Sequence, residues 1–272
     1  MIDLGPWSMA GKVRRLIQET DELLYAEIRE RRAKHDLERT DVLSLLLGAR
    51  DEEGQGLTDV ELHDELITLL VAGHETTATA LTWAFYWVHR LPEVRQKLMA
   101  ELAVHRDTPD LMAIARLPYL TAVCNETLRI YPVALVTLPR RVEKPLQIKG
   151  YDLQPGTQLM GCIYLLHHRE DLYPDSYTFR PERFIERSYS PYEFLPFGGG
   201  VRRCIGTALA MSEMTLILST ILNECDLELL ETQEIKPVRR GGTLATNGGI
   251  RMCKVGDHPH QVSVPKVAPT AV

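Results

Sequence analysis

The chain is predicted to be mainly α-helical with small β-sheets, and three observations carry that expectation. Behind a capping box, Thr58-Asp59-Val60-Glu61, apolar residues recur at helical spacing to about Arg90. A second apolar, helix-compatible stretch covers residues 207–222 and follows directly on a glycine-rich loop. Strand-like alternation, by contrast, is confined to short pieces bounded by glycines: residues 146–153 around Gly150, and a last piece near Asn247-Gly248-Gly249. With 272 residues, 44% of them hydrophobic, the chain is long enough to bury a core, and the absence of linker composition or repeats predicts one body over 1–272.

Taken in order, Val13, Leu16, Ile17, Leu24 and Ile28 mark an amphipathic helix that ends near Lys34. Residues 41–47 form a short apolar helix, and the acidic loop Arg50-Asp51-Glu52-Glu53-Gly54-Gln55-Gly56 a solvated turn. The long helix comes next and stops before Pro92. At 1.5 Å per residue it spans roughly 48 Å. In its middle Gly73 and the threonines Thr76, Thr77 and Thr79 make a weak spot amid Leu66, Leu69, Leu70 and Val71. A helix over 92–104 and an apolar helix that ends at Pro132 follow. Gly150 turns a hairpin, Pro155-Gly156 makes a second turn, and 158–166 is apolar. Residues 173–196 read as a Pro- and Tyr-rich meander, 227–230 as a strand, Asn247-Gly248-Gly249 as the turn of a final hairpin, and the residues from about Asp257 as a frayed end.

Several function classes have no support. Net charge is −6 with no basic block, which gives nucleic acid no footprint. No apolar run approaches the roughly 18–20 residues of a membrane span, and Met1-Ile2-Asp3-Leu4-Gly5-Pro6 does not open a signal peptide, so a cytoplasmic protein is expected. The five cysteines, 124, 162, 204, 225 and 253, form no C-x-x-C pair, and His167-His168 belongs to no metal pattern. There is no dinucleotide fingerprint and no phosphate loop.

One ten-residue run stands apart: Phe197-Gly198-Gly199-Gly200-Val201-Arg202-Arg203-Cys204-Ile205-Gly206. It offers a single cysteine at the end of a glycine-rich loop, beside two arginines and ahead of a helix. Metals bind the thiolate, not the thiol. The positive end of the following helix and the charges of Arg202 and Arg203 would favour that form. The glycines let backbone approach a flat ligand closely, and Phe197 would pack against its rings. The run satisfies F-x-x-G-x-R-x-C-x-G at Phe197, Gly200, Arg202, Cys204 and Gly206. At about one chance in 20 per fixed position, such a match arises roughly once in three million starts.

This run resembles the haem-binding loop of the cytochrome P-450 superfamily. The resemblance implies haem b as cofactor, Cys204 as proximal ligand of its iron, and Arg202 as partner of a propionate. An axial cysteine thiolate pushes electron density onto haem iron and favours O–O cleavage. Upstream, Ala72-Gly73-His74-Glu75-Thr76-Thr77 is similar to the family's A-G-x-E-T element, in which an acid and an alcohol, here Glu75 and Thr76, deliver protons during oxygen activation and Gly73 leaves room for dioxygen. Glu126-Thr127-Leu128-Arg129 and Pro181-Glu182-Arg183-Phe184 match two further motifs, whose Glu126, Arg129 and Arg183 would form a buried charge network. Val133, Ala134, Leu135 and Val136 resemble the substrate-contacting strand. Their apolar character suggests a lipophilic small molecule. Arg140 is either a second propionate partner or a surface charge.

The resemblance thus implies a cytochrome P-450 fold lacking the family's N-terminal region, and a haem-thiolate monooxygenase that uses O2 and electrons from a separate ferredoxin- or flavoprotein-type donor. A non-catalytic, truncated haem-binding remnant and a donor-independent peroxygenase or isomerase are the alternatives.

Overall fold

In the computed structural model, residues 7–34, 39–105, 108 and 110–257 are described. The chain divides into two compact units, Met1–His74 and Glu75–Val272.

The first unit is helical. Helix α1 (Met9–Lys34) ends in three basic residues, Arg31, Arg32 and Lys34, which complement its negative C-terminal pole. Helix α2 (Val42–Gly48) is capped by Asp41, whose side chain accepts the Ser44 N–H at 3.0 Å. That bond, followed by Arg31 and Arg39, holds the Asp41 carboxyl well below its ordinary range. The expected capping box opens α3 (Asp59–Arg90): Glu61 N donates to Thr58 Oγ1 at 3.2 Å, and Thr58 N to Glu61 Oε2 at 2.8 Å. Ile28, Leu43 and Leu62 form a small core, with Tyr25, Leu46, Leu47, Leu57 and Leu66 packed around it.

His63 joins α1 to α3 in this unit. Its Nδ1 lies 3.0 Å from Asp64 and its Nε2 2.9 Å from Asp21, while the ring stacks on Tyr25 at 4.6 Å. The bonds to Asp64 and then Asp21 raise the imidazole above its ordinary value of about 6.5. A raised folded value means that this contribution is fully present below about pH 6.5 and is lost as pH rises through the folded value. Thermal unfolding of wild type and His63→Gln across about pH 5–9 should therefore show the two curves converging as pH rises. A constant gap at all pH values would remove the charge from the account.

The second unit is a helical core with small two-stranded sheets, one strand of which, β7 (Thr243–Thr246), enters the core. Its part of α3 contributes Ala80, Trp83, Ala84, Trp87 and Val88 to the core. Helix α4 (Pro92–Val104) adds Val94, Leu98 and Leu102, and its Glu101 accepts the Tyr119 and Leu120 N–H groups at the start of α6. A single turn, α5 (Leu111–Ile114), precedes α6 (Pro118–Ile130). Ten of the thirteen residues of α6 are buried, so any charge on it must be satisfied inside the protein. Strands β1 (Arg140–Arg141) and β4 (Gln158–Leu159) pair with each other, as do β2 (Leu146–Ile148) and β3 (Tyr151–Leu153), all antiparallel. The β2–β3 turn has Lys149 and Gly150 both at positive φ, +50° and +86°, the two-residue geometry that suits the strands' twist. Helices α7 (Ile163–His167), α8 (Arg183–Glu186) and α9 (Thr207–Glu224) follow.

At the C-terminal end the structure differs from expectation. Strands β5 (Cys225–Leu229), β6 (Pro237–Arg240), β7 (Thr243–Thr246) and β8 (Met252–Asp257) form two ladders, β5 with β8 and β6 with β7. The tight hairpin turns at Gly241-Gly242, between the paired Arg240 and Thr243. Asn247-Gly248-Gly249 does not close a hairpin: it carries the chain out of one two-stranded sheet into the other, with both glycines near φ +85°. Asp257 is no frayed end either, since it pairs with Cys225; the expectation for the residues beyond it, and that for the first six, lies outside the described residues.

Candidate functional site

The sequence 194–206 folds around its own backbone bonds. Leu195 O accepts the Gly198 N–H at 3.0 Å, Phe197 O accepts the Cys204 N–H at 2.9 Å, and Gly200 O accepts the Arg203 N–H at 3.1 Å. Gly198 and Gly200 stand at φ +69° and +66°, conformations that a side chain would strain. Gly200–Arg202 makes one 3-10 turn. Cys204 follows, exposed, and Thr207 Oγ1 donates to its carbonyl at 2.8 Å as α9 begins. Gly206 provides no side-chain cap, so the N–H groups of α9's first turn have no side-chain acceptor there. Phe197 is half-buried against the main core. Arg202 is exposed and has no hydrogen bond or ion pair among the described residues.

Apolar residues that flank the cysteine in sequence are uncovered. Val201 is 100% exposed, Ile205 94% and Leu209 61%, an arrangement costly to leave in water and ordinary beneath a flat apolar ligand. The other cysteines differ. Cys124 is buried among apolar groups that push its thiol up to about 12, Cys162 and Cys225 are half-buried, and Cys253 is exposed on strand β8. Among the described residues no group of three or more His, Cys, Asp or Glu is placed to hold a bare metal ion.

The structure brings Glu126, Arg129 and Arg183 together, all essentially without exposed surface. Arg129 grips Glu126 with two bonds, Nε to Oε2 at 2.7 Å and Nη2 to Oε1 at 2.8 Å. Arg183 Nε and the backbone N–H of Arg180 also donate to Glu126 Oε1, at 3.1 and 2.8 Å. Two guanidiniums against one carboxylate leave an excess positive charge, and backbone carbonyls take it up. Arg129 Nη1 donates to His167 O and Ser176 O, both at 2.8 Å, and Arg183 Nη1 to Pro174 O at 3.2 Å. Tyr173 lies under the Arg129 guanidinium at 5.2 Å. These acceptors, and the imidazole of His167, were not visible as functional partners in the sequence; the only signal was a histidine pair inside an apolar run.

Within the second unit, Glu75 is exposed and Thr76 half-buried on α3. Gly73 lies in the first unit, with open space where a Cβ would be. The segment 133–136 is not a regular strand. Val133 O accepts from Leu244 N, Leu135 O from Ile163 N, and Ala134 and Val136 form isolated bridges to Thr243 and Cys162. Val133 and Leu135 pack against the core, whereas Val136 is exposed, so the apolar segment has two faces and only one is free to meet another molecule. Arg140, in β1, is exposed and donates to the carbonyls of Leu138 and Pro139 at 3.3 and 3.4 Å. Among the described residues no helix is long and apolar enough to cross a membrane.

Comparison with known proteins agrees with this architecture. The Cytochrome P450 family profile matches residues 1–253. A protein named "Putative cytochrome P450 135B1" from Mycobacterium bovis is 39% identical over 266 residues, 93% of this chain and 55% of its own length. Cyclooctatin synthase of Streptomyces melanosporofaciens is 34% identical over 238 residues, 85% of this chain and 51% of its own. The crystal structure of a cytochrome P450, CYP102L1, superposes with a TM-score of 0.80 at 30% identity, covering 90% of this chain and 58% of that one. The chain therefore spans about half the length of the curated relatives it matches. A mainly helical body with small sheets, matched over most of its length by the profile, by these relatives and by that backbone, belongs to the cytochrome P450 family.

Proposed function

We propose that this chain carries the haem-thiolate centre of a monooxygenase that inserts one atom of O2 into a lipophilic organic substrate and reduces the other to water. Electrons come from a separate ferredoxin- or flavoprotein-type donor. The family implies a haem, and haem b is the form proposed. One observation carries the assignment: an exposed thiol, Cys204, presented by a hydrogen-bonded glycine loop among uncovered apolar side chains. That setting would suit a flat apolar macrocycle whose metal takes a soft sulfur ligand. Arg202, exposed and without a side-chain partner among the described residues, suits a propionate, and Arg140 is the candidate for a second. Phe197, Gly200 and Gly206 shape the loop.

Haem, when bound, supplies the redox centre at which dioxygen is activated. The chain's own residues bind, orient and move protons. Cys204 would hold the haem through Sγ. Thr76 holds a proton at Oγ1, and Glu75, exposed one residue earlier, resupplies it from solvent. Val136, on the free face of its segment, meets apolar substrate. The absorption spectrum of the reduced, carbon-monoxide-bound protein tests the ligand: a Soret band typical of thiolate ligation is expected, and a band typical of histidine ligation would overturn the reading.

The proton role has its own test. General acid–base help of this kind is worth ~10²–10⁴ in rate. Thr76→Ala should keep haem and substrate binding but lower the product formed per electron consumed, with the balance recovered as hydrogen peroxide. An unchanged ratio would leave Thr76 as a helix-packing threonine.

A further inference from the structure

One histidine joins the buried charges to the cysteine loop. His167 closes α7 with no exposed surface. Its carbonyl accepts from Arg129 Nη1 at 2.8 Å, and its ring Nε2 lies 2.9 Å from the N–H of Leu195. A backbone N–H only donates, so Nε2 must be bare and the ring proton must sit on Nδ1. Burial first, and the Arg129 guanidinium second, press the imidazole down to about 3, which keeps it neutral at any ordinary pH. Nδ1 is buried with no hydrogen-bond partner among the described residues. A side chain that only filled space would not carry that cost. Phe194 stacks on the ring at 5.3 Å and Tyr173 meets it edge-on at 6.2 Å, so its orientation is fixed from two sides. Beyond Leu195 the bonds run on, from Gly198 N to Leu195 O and from Cys204 N to Phe197 O.

We propose that His167 is a positioning residue for the cysteine loop: its Nε2 holds the Leu195 N–H while its carbonyl holds Arg129, so that the buried charge network sets where the loop begins and thereby where Cys204 is presented. Its consequence for the cofactor rests on the reading of Cys204 as ligand; the coupling of network to loop does not.

Two amide variants of the full haem-bearing chain test it. The amide oxygen in His167→Gln reaches the place of Nε2, whereas in His167→Asn the polar atoms stop near Nδ1 and leave the Leu195 N–H unpaired. Amide hydrogen exchange is measured over residues 194–204, with 118–130 as internal reference. His167→Asn should speed exchange in 194–204 roughly tenfold or more and perturb the thiolate-type spectrum, while His167→Gln stays within about threefold of wild type. Equal behaviour of the two variants, or a change spread equally over 118–130, would overturn the proposal in favour of simple space filling. Should neither variant fold, the ring-nitrogen NMR shifts of the wild-type protein decide: a bare Nε2 with a protonated Nδ1 is expected, and a protonated Nε2 overturns it. Cys204→Ala keeps the two readings apart. If it retained a thiolate-type spectrum the ligand assignment would fall, while the contrast between the Gln and Asn variants would still measure the coupling.

Discussion

Glu126→Ala should yield little folded protein. Among the described residues Glu126 is the one carboxylate that meets both Arg129 and Arg183, and its Oε1 also accepts the Arg180 N–H. Its removal leaves two like charges in one dry cavity and an unpaired N–H. Breaking a buried pair from one side costs about 3–5 kcal/mol. That is a large part of a typical stability of ~5–15 kcal/mol. Arg129→Ala should be comparably damaging for a different reason. It leaves Glu126 paired with Arg183, but takes the donor from the carbonyls of His167 and Ser176 and opens a cavity over the Tyr173 ring. Urea midpoints and the yield of folded protein are the measurements. Unfolding free energies within about 1 kcal/mol of wild type for both variants would place these charges with ordinary surface pairs.

Helices were legible where periodicity and caps agree. The Thr58–Glu61 capping box opens α3 as its spacing requires, and Pro92 separates α3 from α4 because the residue before a proline avoids the helical region. The pairing of the last strands was not legible. Gly241-Gly242 and Gly248-Gly249 carry nearly the same local turn signal, yet only the first closes a hairpin. β5 instead pairs with β8, across the whole β6–β7 hairpin, and that choice is made by tertiary packing rather than by neighbouring residues. The four-residue α5 is too short to show a period.

The charge network was legible in its side chains and hidden in its backbone. Glu126, Arg129 and Arg183 stand in motifs, but the carbonyls of His167, Pro174 and Ser176 that absorb the surplus charge come from residues of any type. The same holds for His167. Its ring role depends on a backbone N–H 28 positions away, which no spacing rule reaches.

Cys204→Ala should abolish the spectrum of a thiolate-ligated haem while leaving the apoprotein's stability nearly untouched. Exposure does not single this cysteine out, because Cys253 is exposed as well. The surroundings do. Cys253 sits in a regular strand opposite Glu228, with its Sγ directed to the Lys254 carbonyl. Cys204 ends a loop in which Gly198 and Gly200 hold positive φ, near uncovered Val201 and Ile205 and just before the uncapped start of α9. The Cys204 side chain packs against little, so its removal should change the unfolding free energy by no more than about 0.5 kcal/mol. Loss of a ligand and loss of a fold are therefore separable by comparing absorbance with circular dichroism in the same sample. Cys253→Ala, Cys225→Ala and Cys162→Ala should retain the wild-type bands. Retention of those bands by Cys204→Ala, with their loss in Cys253→Ala, would move the iron ligand to strand β8 and leave the glycine loop without its proposed role.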